Sequence, residues 1–113
     1  MSRIYKILPR GDWTAAHEAG RYEGSPLDLA DGFIHFSTAA QAQETARKHF
    51  AGQADLVVLE VEADDLGEAL RWEASRGGDL FPHLYGPLAA EQVRYVTEAP
   101  LDADGVPVLG ALT

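Results

Sequence analysis

The chain has 113 residues, 46% hydrophobic and 24% charged, so its composition is that of an ordinary folded protein and excludes disordered, collagen-like and coiled-coil classes. Its 18 acidic and 9 basic residues give a net charge of -9, which repels a phosphate backbone and argues against nucleic acid as a partner. It has no cysteine, no signal-peptide hydrophobic region and no run of about 18 apolar residues. We therefore expect a soluble cytoplasmic protein with no membrane partner.

The first third of the chain begins with a predicted strand. Residues 3–8 place apolar side chains on both faces of an extended segment, which favours a strand over so short a helix. Asp12 is predicted to cap a helix that begins at Trp13 and ends at Gly20. Ser25 precedes a proline, a pattern typical of the cap and first position of a short helical turn.

The second predicted unit is a strand followed directly by a helix. Residues 33–36 are an apolar run that is too short for a helix, so we interpret them as a buried strand. Thr38 and Gln41 have the spacing of a capping box, and the helix that they begin is predicted to run to about Phe50. This strand and helix place polar residues at a junction between two elements.

The second half of the chain is predicted to be rich in strands. Residues 55–62, 70–75 and 93–97 are predicted strands, and residues 106–109 are a candidate edge strand. Residues 79–87, DLFPHLYGP, have no clean period and two prolines, so they are predicted to be an ordered loop. These elements predict an α+β fold in one domain, residues 1–113, with mixed or antiparallel strands and two main helices.

His35 lies where the predicted buried strand meets the helix N-terminus. Unpaired backbone N–H groups and the positive end of the helix dipole gather at such a junction, and Ser37 and Thr38 add hydroxyls. This pattern predicts a site for a phosphate or a ribose hydroxyl. The alternative is that His35 is a hydrogen-bonded core residue and that the two hydroxyls only cap the helix.

Three further residues are candidates for a site. His83 and Tyr85 lie in an aromatic and proline-rich segment, where a rigid scaffold presents side chains. Glu73 follows Trp72, and an indole beside a carboxylate can shift its ionisation by desolvation. Alternatively, His83 points to water and Glu73 is an exposed strand residue. The sequence has no local metal-ligand spacing, so no metal site is expected. It also lacks GxSxG, the P-loop and GxGxxG, which argues against a serine hydrolase, a P-loop nucleotidase and a dinucleotide dehydrogenase.

Four segments together resemble the family called domain of unknown function 952: YKIL at 5–8, GRYEGSPLDLADGFIHFST at 20–38, WE at 72–73 and FPHLYGPL at 81–88. The family has no established reaction. The resemblance implies an ADP-ribosyltransferase-like fold, in which a cleft lies between two small packed sheets. It also implies that Tyr22 and Ser25, in the second segment, belong with Ser37 and Thr38 among the ligand-binding residues.

The resemblance further implies a nucleotide-like small-molecule ligand, with NAD as a candidate substrate. His35, Glu73, His83 and Tyr85 are then the candidate catalytic residues of an enzyme acting on a ribosyl bond. In this hypothesis His35 orients a ribose hydroxyl, and Glu73 stabilises developing positive charge. Glu91 and Glu98 are alternatives to Glu73 as the glutamate near a late strand. Two rival hypotheses are a binding module without chemistry and a structural or partner-binding domain.

Overall fold

The computed structural model describes residues 2–75, 77–110 and 112. Within these residues the chain forms nine strands, three α-helices and two 3-10 helices. The strands are β1 (Arg3–Pro9), β2 (Arg21–Tyr22), β3 (Ile34–His35), β4 (Ser37–Thr38), β5 (Leu56–Glu62), β6 (Leu70–Ser75), β7 (Asp79–Leu84), β8 (Leu88–Ala89) and β9 (Val93–Ala99). The helices are α1 (Arg10–Ala19), α2 (Pro26–Asp31) and α3 (Ala39–His49), and the 3-10 helices are Ala63–Ala69 and Ala90–Gln92.

The largest sheet has the strand order β4-β1-β5-β9, and all its pairings are antiparallel. Its two central strands are apolar on both faces because each face packs against a separate group of buried side chains. Ile4 and Leu8 belong to one group, and Tyr5 and Ile7 belong to the other, which includes Ala42 of α3. The strands predicted at the start of the chain and at residues 55–62 are therefore confirmed.

Two smaller antiparallel sheets complete the α+β architecture: a three-stranded sheet of order β3-β7-β6 and a two-stranded sheet of β2 and β8. The α+β prediction is confirmed, but three sheets are present rather than two, because β2 and β8 pair only with each other. The strands predicted at residues 70–75 and 93–97 are also confirmed. None of the helices in the described ranges is long and apolar enough to cross a membrane.

The prediction of a loop at residues 79–87 is wrong, because Asp79–Leu84 form the central strand of the three-stranded sheet. The misleading residue is Pro82, which has no N–H to donate. Its carbonyl accepts a hydrogen bond of 3.0 Å from the N–H of Phe36, just beyond the end of β3. The N and C=O of one strand residue point to the same side. The missing donor therefore faces the end of β3, and the pairing with β6 is intact.

Two other predictions differ from the structure. Helix α1 begins at Arg10 directly after Pro9, which fixes the backbone angle but makes no side-chain cap, so Asp12 lies in the first turn and is not the cap. Gly20 does end this helix in the left-handed conformation, as predicted. Residues 106–109 do not form the expected edge strand; in the described part of this segment, the pairing is an isolated bridge between Leu101 and Pro107.

Helices α2 and α3 both begin with a capping box, as their sequences predict. The hydroxyl of Ser25 accepts from the N–H of Asp28, whose carboxylate accepts from the N–H of Ser25. Thr38 and Gln41 make the same reciprocal pair at the start of α3. Each box uses donors that a helix would otherwise present to solvent or to a ligand.

The cap of α3 gives a direct stability test. We expect Thr38→Ala to lower the free energy of unfolding by about 1 kcal/mol, because the N–H of Gln41 loses its acceptor. Thr38→Ser should keep most of the stability, because serine supplies the same hydroxyl. Urea denaturation of the three proteins measures both effects. Equal losses in the two variants would show that the methyl group, and not the cap, is what matters.

Candidate functional site

The four candidate catalytic side chains share one face of the three-stranded sheet. His35 of β3 is directly opposite His83 of β7. Side chains alternate along a strand, so Tyr85, two residues on, follows the same side. Glu73 of β6 is paired with Phe81, two residues from His83, and its side chain reaches His83. The structure thus brings together His35, Glu73, His83 and Tyr85.

Phe33 packs against three of these side chains. Its ring is stacked on that of His83, with 4.1 Å between centroids, and is tilted against His35 at 4.6 Å and Tyr85 at 5.2 Å. The two histidine rings meet edge to face at 5.4 Å. Phe33 therefore fixes the relative positions of the histidines by contact on both.

Glu73 holds the orientation of His83. Its Oε1 lies 2.8 Å from Nδ1 of His83 and also accepts a 2.8 Å hydrogen bond from the hydroxyl of Tyr85. The hydrogen bond from His83, and to a smaller extent that from Tyr85, lowers the pKa of Glu73. The bond between Tyr85 and Glu73 also raises the pKa of Tyr85. A carboxylate bonded to Nδ1 places the hydrogen of a neutral imidazole there and leaves Nε2 as an acceptor.

The second nitrogen of His83 is unoccupied. The ring is buried, and its Nε2 has no hydrogen-bond partner among residues 2–75, 77–110 and 112. Over the same residues, the buried side-chain polar atom without a partner is Oη of Tyr22. His83 lines the cavity described below, so a ligand there can reach its ring.

Asp28 is the centre of a second, buried hydrogen-bond network. It is only 2% exposed, and its carboxylate accepts bonds of 3.1 and 2.9 Å from Nζ of the buried Lys6. Backbone N–H groups of Ser25 and His35 donate to it at 2.9 and 3.2 Å, and Nδ1 of His35 lies at 2.6 Å. Burial alone would raise the pKa of Asp28, but His35, Lys6 and the Ser25 N–H outweigh it and hold the pKa well below its usual range.

His35 is held at both ring nitrogens. Besides the contact of Nδ1 with Asp28, its Nε2 lies 2.9 Å from Oδ2 of Asp31. His35 is thus fixed between two acids, whereas His83 is fixed by one.

Both histidines line one cavity of about 320 Å³, near the lower end of the range for small-molecule sites. The cavity is bounded by strand β1, by strands β3 and β7 of the three-stranded sheet, and by helices α2 and α3; Glu73 and Tyr85 are not among its described lining residues. The residues that line it are Tyr5, Lys6, Ile7, Ser25, Leu27, Asp28, Asp31, His35, Phe36, Ser37, Thr45, His49, Phe50, Ser75, Phe81 and His83.

The predicted ligand-binding residues divide into two pairs. Ser25 and Ser37 line the cavity, and the hydroxyl of Ser37 lies 2.9 Å from that of Thr45. Thr38 caps α3, and Tyr22 lies in the core with its hydroxyl buried and unpartnered. Burial, followed by the negative charge of Asp28, raises the pKa of Tyr22.

The sequence interpretation missed Lys6, Asp28, Asp31 and Phe33. A signal for the first was present: Lys6 alternates with apolar residues on a strand that is buried on both faces, so it requires a buried acid as a partner. Asp28 occupies the capping-box position three residues after Ser25. Because this cap already explains an aspartate there, nothing in the sequence indicated its second role as the partner of Lys6.

No cluster of three or more metal-ligating side chains occurs among the described residues. A second hollow, of about 390 Å³, contains none of the predicted site residues; it is lined by Trp13, Thr14, His17, Glu18, Ala90, Val93 and Val96. The cavity that holds His35 and His83 is therefore the candidate site.

The family described as protein of unknown function (DUF952) matches residues 7–96. The chain belongs to this family, and the membership predicted from its motifs is confirmed. Protein CC0527 from Caulobacter crescentus is similar in its X-ray structure, with 62% identity, a TM-score of 0.94 and 96% of each chain covered. The solution NMR structure of CC0527 matches with 63% identity and a TM-score of 0.85, over 95% of this chain and 92% of that chain. No curated protein matches the chain.

The Asp28 network predicts a pH dependence of stability. Because the folded-state pKa of Asp28 lies below its unfolded value of about 3.9, its stabilising contribution is complete above that value and is lost as the pH falls towards the folded pKa. We expect Asp28→Asn to cost about 3–5 kcal/mol at pH 7 by leaving the Lys6 charge unpaired, and to flatten the loss of stability below pH 4.

Chemical denaturation between pH 7 and pH 2.5 tests this expectation, with Asp104→Asn as the control because Asp104 is exposed. The control should follow the wild-type curve. If Asp28→Asn kept the full acid dependence of the wild type, other carboxylates would have to cause it.

Tyr22 gives a test in which a substitution is expected to leave the free energy of unfolding unchanged or to raise it. Removing its unpartnered hydroxyl in Tyr22→Phe should leave stability unchanged or raise it by up to about 1–3 kcal/mol. Tyr5→Phe is the matched control: its buried ring bears a hydroxyl 3.4 Å from Oε1 of Glu60, so its removal should destabilise by about 0.5–1.5 kcal/mol. Denaturant midpoints measure both. A clear destabilisation in Tyr22→Phe would show that the hydroxyl has an ordered partner.

Proposed function

We propose that this chain binds a ribosyl compound, such as a nucleoside, a nucleotide or NAD, in the cavity lined by His35 and His83, and acts on its ribosyl bond. The observation that carries the proposal is the position of the two histidines. Each is oriented by a carboxylate, and both lie on the wall of one cavity. Packing alone does not require two oriented histidines at one cavity.

His83 is the residue assigned to acid–base chemistry in this proposal. Its Nε2 is the accessible nitrogen, and a neutral imidazole with a carboxylate on Nδ1 can take a proton from a water or a hydroxyl at the cavity. Glu73 is then a positioning residue that stabilises the protonated imidazole, and Tyr85 holds Glu73. In the sequence analysis, Glu73 had the role of stabilising positive charge on the ribosyl group. In this proposal it instead orients His83.

His35 is assigned to ligand positioning. Because Asp28 and Asp31 contact both of its nitrogens, it presents a ring in a fixed orientation. Ser25 and Ser37 supply hydroxyls on the same cavity, where they can bond a ribose.

The same proposal takes residues 1–113 as one domain of the ADP-ribosyltransferase-like type. What supports it is the packing of the four-stranded sheet on the three-stranded sheet, through one group of buried side chains that includes Leu8 and Leu84. A structural role is the second candidate, favoured by the complete hydrogen bonding of Asp28.

Thermal unfolding with millimolar nicotinamide riboside, its 5′-phosphate, NAD and ADP-ribose tests the function. A ligand at 100 times its Kd adds about 2.7 kcal/mol, which raises the Tm by roughly 10 °C. We expect a shift in the wild type, no shift in His83→Ala, and an unchanged shift in His17→Ala, whose side chain lies outside the cavity. Glu73→Gln should retain binding but slow the release of nicotinamide about 10–100-fold.

Three results would count against the proposal in different ways. No shift with any ligand in the panel would remove the function altogether and favour the structural role. Binding without turnover in the wild type, unaffected by Glu73→Gln, would leave a binding module without chemistry. A shift that survives in His83→Ala would place the ligand elsewhere.

A further inference from the structure

We infer that the cavity takes the nucleoside part of a ribosyl compound and excludes its phosphate. This inference rests on the proposed function and specifies its ligand. It follows from how the charged groups and helix ends at the cavity are already used.

Among the described residues, the basic side chains that line the cavity next to an acid are bonded to it. Lys6 bonds both oxygens of Asp28, His35 lies between Asp28 and Asp31, and His83 is paired with Glu73. His49, the remaining basic residue in the part of the lining that the structure describes, also has a partner. A phosphate that bonded one of these basic groups would therefore lie close to the carboxylate already paired with it, and the two negative charges would repel each other.

The two helix N-termini near the cavity are also used. Ser25 and Asp28 close the first turn of α2, and Thr38 and Gln41 close that of α3, each through two reciprocal hydrogen bonds. The backbone N–H groups of Asp28 and Gln41 therefore donate to side-chain oxygens of the chain itself. An anion at either end would compete with these acceptors.

Arg71 is a further cation near the site, but it is not placed to bind a phosphate in the cavity. It shares the face of β6 with Glu73, but its guanidinium lies over the ring of Tyr85, 4.7 Å from the centroid, and it does not line the cavity.

The groups that remain are uncharged hydroxyls and rings. Ser75 offers a hydroxyl, and the hydroxyls of Ser25 and Ser37, which already bond Asp28 and Thr45, can each make a further hydrogen bond. Phe36 and Phe81 offer apolar ring surface. A ribose with an attached base has the matching chemistry, because its hydroxyls bond to serines and its ring packs on phenylalanines. The charge of the neighbouring Asp31 and the net charge of -9 further oppose a phosphate.

Calorimetric titration with two pairs of probes tests the inference: adenosine and its 5′-phosphate, and nicotinamide riboside and its 5′-phosphate. In each pair the nucleoside should bind at least about tenfold more tightly. Adenosine affinity should change little between 20 and 200 mM salt, whereas any binding of its phosphate should improve with salt because screening weakens the repulsion.

Two substitutions on neighbouring positions of β6 locate the binding. Ser75→Tyr should abolish nucleoside binding by filling the cavity, whereas Ala74→Tyr should not, because successive strand side chains point to opposite faces. Both positions are exposed, so the two variants are matched for folding.

The outcomes separate the two proposals. A nucleoside preference that is lost only in Ser75→Tyr supports the inference. Equal or tighter binding of the phosphorylated partner overturns it and leaves the proposed function standing. If none of the four probes binds, and NAD and ADP-ribose also give no thermal shift, both proposals fail.

Discussion

The buried ion pair between Lys6 and Asp28 is the interaction on which the site depends. It ties the central strand β1 to the short helix α2, and the same carboxylate fixes the backbone and ring of His35 on β3. Removing a charge from water costs several kcal/mol, which is recovered only when its bonds are complete. Because Asp28 accepts bonds from Lys6, Ser25 and His35, three elements are locked together through one side chain.

The environment of Asp28 leaves little room for change. Gly24 precedes its cap with φ of +120°, and a Cβ there would lie 2.8 Å from Cβ of Asp28. A side chain at Gly24 would therefore strain the backbone and displace the carboxylate. The geometry of this corner is set jointly by a glycine, a cap and an ion pair, so it is a rigid support for His35 and for the cavity wall.

Much of the fold could be predicted from local patterns. The apolar runs of β1 and β5, the capping boxes of α2 and α3 and the stop at Gly20 are local signals, and the structure has each of them. Strand β7 could not be found in this way, because Pro82 is tolerated only through its tertiary position opposite the end of β3. The prediction of a C-terminal edge strand was wrong for another reason: residues 106–108 fold back on residues 100–102 and form an isolated bridge there instead of extending a sheet.

The candidate site follows the same division. His35, His83, Glu73 and Tyr85 could be selected by residue type and motif, but their common face could be recognised only once residues 79–84 were known to be a strand. Asp28 and Lys6 are 22 positions apart, and no sequence pattern links them.

Phe33 has a consequence for how the molecule assembles. One half of the site, from Lys6 to His35, and the other half, the hairpin of β6 and β7, are each held by contacts within their own segment. The ring of Phe33 contacts His83 and Tyr85 across the boundary between them. Contacts of short sequence separation form early in folding. We therefore expect the two halves to form first, and the docking of the hairpin on Phe33 to be the late event that creates the cavity.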